Sequence, residues 1–226
     1  QSADDAAEWA SRHHGPFVVK ANGSSLAHKS ERGLVRLGLS GPADVRDAAQ
    51  TVLGRIVPED GVVSLTVAEM TIGSRELIVG AMRDESLGPC LLIGAGGIFA
   101  EQLNDVAIRR FPVDESAIRD MVSELRIRDV LRGARHCAAL DIEALSSLVA
   151  GLNSAMADDA IESIDINPVI IRDDGSLCAV DALVTTGGRP PKTQGSWGKN
   201  VDLDPLFNPR GVCIVGASTH PGKFGF

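Results

Sequence analysis

Residues 163–183 read SIDINPVIIRDDGSLCAVDAL. Two apolar runs flank Asp173-Asp174-Gly175, a turn signal, and such a pattern predicts an antiparallel hairpin. With the turn centred on Asp174, Asn167 falls directly opposite Asp181. Asp165, two residues before Asn167, projects to the same side because strand side chains alternate. Acidic and amide oxygens on an otherwise apolar hairpin suit a hard divalent cation, and Mg²⁺ characteristically takes one or two carboxylates plus phosphate oxygens. The same spacing also describes a half-exposed hairpin whose polar residues face water.

Outward from this hairpin, short apolar strands alternate with amphipathic helices, which predicts a mixed α/β (α+β) fold. Helices are expected at 42–54 (Val45, Ala48, Ala49, Val52 and Leu53 at helical spacing behind Pro42), at 115–126 behind Asp114, and at about 141–157. Strands are expected at 17–20, 34–39, 62–68, 76–83, 89–93, 106–111, 163–171 and 177–184. The segment TGGRPPKTQGSWGKN, 186–200, has no apolar period and reads as a linker. After it, RGVCIVGASTHPGKFGF is an apolar strand running into a glycine-rich turn, the opening of a nucleotide-binding βα unit. The start QSADDAAEWA reads as the middle of a longer unit and GKFGF as an abrupt stop, so a piece of a larger protein is expected.

The chain has 226 residues, 44% of them hydrophobic, enough for at least one proper core. Against 22 basic residues stand 30 acidic ones, a formal charge of −8 with the basic residues scattered. The electrostatic footprint of a general nucleic-acid binder is missing, and a polyanionic ligand must be held by local groups. Cys90, Cys137, Cys178 and Cys213 form no C-x-x-C pair, which predicts a reducing, cytoplasmic setting and no structural zinc. No apolar run approaches the ~20 residues of a membrane span, and no signal-peptide pattern opens the chain.

Three further stretches bear on chemistry. In IGAGGIFAEQLNDV, 93–106, glycines at 94, 96 and 97 let backbone N–H groups turn toward an anion, although a tight strand-to-strand turn needs the same residues. Lys20 ends an apolar strand, whereas Lys29 belongs to the polar segment SSLAHKSERG, 24–33, together with His28. As phosphate ligands the lysines make sense only if the glycine loop and the acidic hairpin converge on them; otherwise they solvate a surface. Glu69-Met70 ends another strand, where exposed backbone can meet a flat ligand.

The ordered set FVVKANGSSLAHKSERG, VAEM, SRELIVGAMRDESLGP, LIGAGGIFAEQLNDV and DINPVII with AVDALV resembles the ATP-grasp domain of NDP-forming acyl-CoA synthetases, the ADP-forming acetate–CoA ligase group related to succinyl-CoA synthetase. The resemblance spans roughly 5–185, and LFNPRGVCIVGASTHPGKFG resembles the start of the family's Rossmann-like CoA-binding domain. It implies a two-lobe fold with lobes at 1–68 and 69–185, a linker at 186–203 and the truncated second domain at 204–226. It further implies that Lys20 and Lys29 contact ATP phosphates, that Glu69 and Met70 lie in a hinge facing adenine, that Glu76 lines the nucleotide pocket, and that Gly96, Gly97 and Glu101 lie near the phosphates. Asn167 and Asp181 match the family's Mg²⁺ ligands, in agreement with the hairpin geometry. His28 matches a histidine that accepts a phosphoryl group.

The implied reaction converts acid, CoA and ATP to acyl-CoA, ADP and phosphate, with the phosphoryl group passed through histidine. A neutral imidazole nitrogen is nucleophilic near pH 7 and its N–P bond is labile. The implied cofactors are ATP, Mg²⁺ and CoA, the last mainly through domains outside this chain. The implied partners are the carboxylic acid, CoA and the other synthetase domains; a homo-oligomer is compatible, and neither nucleic acid nor membrane is expected. One departure stands out. Where the family often shows Gly-Gly after H-K-S, this chain has Gly33-Leu34 behind Arg32, and Leu34 there is expected to narrow the approach to phosphate. The alternatives are a non-catalytic nucleotide- or acyl-CoA-sensing module of a fusion such as a protein acetyltransferase, and a structural subunit-interaction domain.

Overall fold

Phe17, Val19 and Ala21 are buried while Val18, Lys20 and Asn22 are only partly so, and this period of two makes β1 (Phe17–Gly23) the centre of a small sheet. It pairs antiparallel with β2 (Val35–Leu39) on one side and β3 (Val63–Glu69) on the other. One face is covered by α1 (Ala3–Ser11) and α2 (Pro42–Leu53), the latter burying Val45, Ala48, Ala49 and Val52. The computed structural model describes residues 2–24, 26, 29, 31–97, 104–133, 137–187, 208, 210 and 211. Residues 1–187 form one compact unit and 188–226 another. The expected linker and second-domain opening therefore fall almost wholly outside the described residues.

Helix α1 adds to the three expected helices. Its start is fixed by a capping box: the Asp5 N–H donates to Ser2 Oγ and the Ser2 N–H to the Asp5 carboxylate. The alanine stripe Ala6, Ala7 and Ala10 then suffices to bury its inner face.

The larger sheet runs in the order β6 (Val106–Arg110), β5 (Gly88–Ala95), β4 (Arg75–Asp84), β7 (Ile161–Ile171), β8 (Leu177–Ala179), with β9 (Ala182–Thr186) also on β7. Every pairing is antiparallel. Leu77, Val79 and Ala81 of β4 and Ile164, Ile166, Val169 and Ile171 of β7 point to one face, where α3 (Glu115–Glu124), α4 (Arg128–Leu131) and α5 (Ile142–Ala155) complete the second core. Asp114 and Asp141 cap α3 and α5 by accepting the Ala117 and Ala144 N–H groups. The mixed α/β architecture is as expected, and the expected helices 42–54, 115–126 and 141–157 differ from the observed ones by at most two residues at an end.

The hairpin adopts the expected register: Val169 faces Ala179 and Ile166 faces Ala182. One correction concerns its second arm, expected as a single strand over 177–184. It is divided at Val180 and Asp181, because Pro168 stands at that point of the ladder. Pro168 accepts the Val180 N–H at 3.2 Å but has no N–H to return, so the Val180 carbonyl is released from the sheet. A second correction concerns Leu34. Its side chain is fully buried in the core of the small sheet, so it does not narrow any approach to the cleft. Gly33, at φ +63, turns the chain inward just before it.

Candidate functional site

Lys20 extends from β1 and donates from Nζ to the released Val180 carbonyl, 160 positions away in sequence. Its Nζ also lies 3.6 Å from Asp181 Oδ1. Lys29 comes from the loop that follows β1, and its Nζ lies 2.9 Å from Asp181 Oδ1 and 2.6 Å from Oδ2. The loop is held in place at this point, since the Leu34 N–H donates to the Lys29 carbonyl and the Ala21 N–H to the Leu34 carbonyl. Lys20, Asn22, Lys29, Val180 and Asp181 line a cleft of about 390 Å³. The small sheet thus contributes the cations and the large sheet the anion.

On the large sheet, Asn167 stands across from Asp181 and donates its N–H to the Asp181 carbonyl at 3.2 Å. Asp165 and Asn167 are exposed whereas Ile164 and Ile166 are buried, so both polar residues lie on the sheet face away from the core. Although the residue is exposed, partial desolvation of its carboxyl by the surrounding face, and then the charge of Asp181, push Asp165 above its ordinary value. The Asp165 and Asp181 carboxylates with the Asn167 amide beside them offer hard oxygen donors of the kind a divalent cation takes. Among the described residues no group of three or more His, Cys, Asp or Glu is placed to hold a metal. The donors this face does present, carboxylate and amide oxygens, are those that suit a hard cation completed by other oxygens.

A second group forms one strand over. Gly96 donates its N–H to the Glu76 carbonyl at 2.9 Å, and a Cβ on Gly96 would stand 2.9 Å from both the carbonyl carbon and Cβ of Glu76. Gly97 has φ +78, and a Cβ there would come within 3.1 Å of Glu76 Oε2. The start of the glycine loop is thus seated directly on Glu76. Its exit is fastened by Asp105, a buried carboxylate that accepts the Arg126 N–H at 2.8 Å and the Ile127 N–H at 3.1 Å, while its carbonyl accepts the Ala95 N–H at 3.0 Å.

The structure therefore brings Lys20, Lys29 and Asp181 together, sets Asn167 beside Asp181, and joins Glu76 to Gly96 and Gly97. Glu69 and Met70 lie at the end of β3, where the Met70 N–H donates to Pro16 O at 2.7 Å and the Glu69 carboxylate accepts the His14 N–H at 3.1 Å. Both bonds run toward the segment before β1. His28 and Glu101 lie outside the described residues. Sequence reasoning missed the Val180 carbonyl and Asp105. The first was signalled by Pro168 in the facing strand; the second by a carboxylate directly after Asn104, which is in the left-handed region at φ 44.

Residues 1–186 match the family model described as ATP-grasp domain. The acetate–CoA ligase [ADP-forming] I subunit beta of Pyrococcus furiosus is 30% identical over 80% of this chain and 80% of its own length. A trans-feruloyl-CoA synthase from an unknown prokaryotic organism is 38% identical over 80% of this chain. The acetate–CoA ligase [ADP-forming] II of Archaeoglobus fulgidus is 33% identical over 93% of it. The match takes up 26% and 30% of the length of these two, so the chain spans only a quarter to a third of them. Among solved structures, acetyl-coenzyme A synthetase 1 of Ca. Korarchaeum cryptofilum, in complex with coenzyme A and Ca-AMPCP, superposes with a TM-score of 0.74 at 30% identity, covering 83% of each chain. Another structure of that enzyme, with coenzyme A and Mg-AMPPCP, has its phosphohistidine segment pointing towards the nucleotide binding site; it gives a TM-score of 0.68 at 29% identity, covering 82% of this chain and 83% of the other.

Proposed function

The chain belongs to the ATP-grasp domain family, and from that premise we propose that it is the nucleotide-binding and phosphoryl-transferring part of an ADP-forming acyl-CoA synthetase, an acid–thiol ligase. The observation that carries this reading is the meeting of Lys20 and Lys29 from the small sheet with Asp181 of the large one across a single cleft. In this reading the lobes are 1–68 and 69–185, the linker is 186–203, and a CoA-binding domain begins at 204. No helix among the described residues is long and apolar enough to cross a membrane, and the free thiols of Cys90, Cys137 and Cys178 suit a cytoplasmic setting.

Each residue then has a defined task. Lys20 and Lys29 turn from Asp181 to the phosphates and offset their charge as the γ-phosphoryl group is displaced. Asn167 and Asp181, with Asp165 beside them, would hold Mg²⁺, which would supply charge neutralisation on the phosphate oxygens. Gly96 and Gly97 allow the backbone to approach the phosphates, with Glu101 following, while Glu76 supports the loop from below. Glu69 and Met70 form the hinge beside adenine. His28 receives the phosphoryl group as its imidazole nitrogen attacks phosphorus and ADP departs. The acid and CoA are engaged by the remaining domains of the synthetase, as the beta subunit and multidomain relatives suggest.

The test is incubation with γ-labelled ATP and Mg²⁺. Acid-labile, base-stable label is expected on the protein and is expected to vanish in His28→Ala. Undiminished label in that variant removes His28 from the reaction.

A further inference from the structure

We propose that Lys29 is an internal counter-ion that occupies Asp181 until a polyphosphate arrives, so that metal entry is tied to nucleotide entry; this deepens the nucleotide-site reading above and rests on it. Both Asp181 side-chain oxygens are engaged by Lys29 Nζ, at 2.9 Å and 2.6 Å. Oδ1 additionally accepts the Ala182 N–H at 3.1 Å and lies 3.6 Å from Lys20 Nζ. The lysine and aspartate side chains are only 18% and 31% exposed, so water screens the pair less than it would at an open surface. The backbone that carries Lys29 is fixed, because the Leu34 N–H donates to its carbonyl at 2.8 Å.

The consequence follows from charge alone. A free divalent cation reaching Asp181 must expel an ammonium group and then share the cleft with it, while offering Lys29 no new partner. Two like-charged groups left in a half-buried space repel each other, which weakens metal binding in the absence of nucleotide. A triphosphate changes the balance. Its oxygens give Lys29 and Lys20 anionic partners within the same cleft, and Asp181 is freed to take the cation. Metal and nucleotide then favour each other's binding, and by linkage the coupling is the same in both directions. Lys29 adds to the coupling that metal–phosphate attraction already supplies, by penalising the metal-only state. Lys20 contributes less, since its primary partner is the Val180 carbonyl.

The experiment uses the full chain and Mn²⁺ as the probe, titrated by electron paramagnetic resonance with and without AMPPCP. Lys29→Met and Lys29→Gln remove the charge in two ways, and thermal melting selects whichever variant folds as the wild type does. Without nucleotide, these variants are expected to bind Mn²⁺ about tenfold more tightly than wild type, and the gain in metal affinity on adding AMPPCP is expected to shrink by the same factor. Lys29→Arg is expected to behave like wild type. Unchanged or weaker Mn²⁺ binding in the neutral variants, alongside a wild type that gains on adding AMPPCP, overturns the proposal. So does a tenfold gain that survives in a Lys29→Met, Asp181→Asn double variant. If wild type itself shows no AMPPCP-dependent gain, the nucleotide-site reading fails and this inference falls with it, a result distinct from the other two.

Discussion

Gly96 presses its α-carbon against the backbone of Glu76, leaving no room for a side chain: a Cβ would lie 2.9 Å from the Glu76 carbonyl carbon and 3.0 Å from that of Leu77. Backbone on both sides cannot give way as a flexible side chain would. Gly96→Ala is therefore expected to cost about 1–3 kcal/mol in stability. It is also expected to push the glycine loop off its seat, weakening Mg-AMPPCP binding by roughly tenfold or more. Urea denaturation and isothermal titration calorimetry read the two effects separately.

Asp105 fastens the other end of the same loop. Removing its carboxylate leaves the Arg126 and Ile127 N–H groups without their acceptor at a buried corner. Asp105→Ala is expected to destabilise the protein by roughly 3 kcal/mol, and Asp105→Asn, which keeps one acceptor, by about half of that. Chemical denaturation of both variants checks the order.

Asp60 anchors the turn that follows α2. The Arg32 guanidinium grips it with two bonds of 2.7 Å and 2.8 Å, and the Val57 N–H adds a third at 2.9 Å. Arg32 first, and the Val57 N–H second, lower its carboxyl to about 2. A folded-state value below the unfolded one means that this contribution to stability is fully present above the ordinary carboxyl range. It is lost as pH falls from near 4 through about 2. Thermal melts over that window are expected to fall more steeply for wild type than for Asp60→Asn, which already lacks the charged acceptor.

Lys20→Met removes the donor to the Val180 carbonyl and one of the two ammonium groups of the cleft. The expected loss of stability is small, about 1 kcal/mol, because the lysine is partly exposed. The expected loss of Mg-AMPPCP affinity is at least tenfold, because phosphate charge is met by fewer cations. A variant that binds the analogue as wild type does would place Lys20 outside the nucleotide site.

The hairpin was legible in the sequence because Asp173-Asp174-Gly175 fixes a turn and the strand period of two does the rest; the register follows, and with it the pairing of Asn167 and Asp181. Helices with a wide apolar stripe and an aspartate cap, such as α5 behind Asp141, were legible for the same local reason. The contact of Lys29 with Asp181 was not, since it joins residues 152 positions apart and depends on how two sheets close on each other. Nor was the burial of Leu34. Its place just after the polar H-K-S segment, at the start of an expected strand, suggests a residue facing the phosphate approach, whereas the turn at Gly33, φ +63, leads its side chain into the core. Helix α1 escaped notice because alanines, rather than large apolar residues, make its packing face.

An imino acid keeps the border of the large sheet unhealed. With an ordinary amide in place of Pro168, the facing oxygen of Val180 could be recruited inward and the two short strands would fuse into one. Lys20 would then lose its bond to Val180 and keep only its 3.6 Å approach to Asp181. The absence of one hydrogen atom on the main chain thus leaves free the oxygen by which Lys20 of the small sheet reaches the large one.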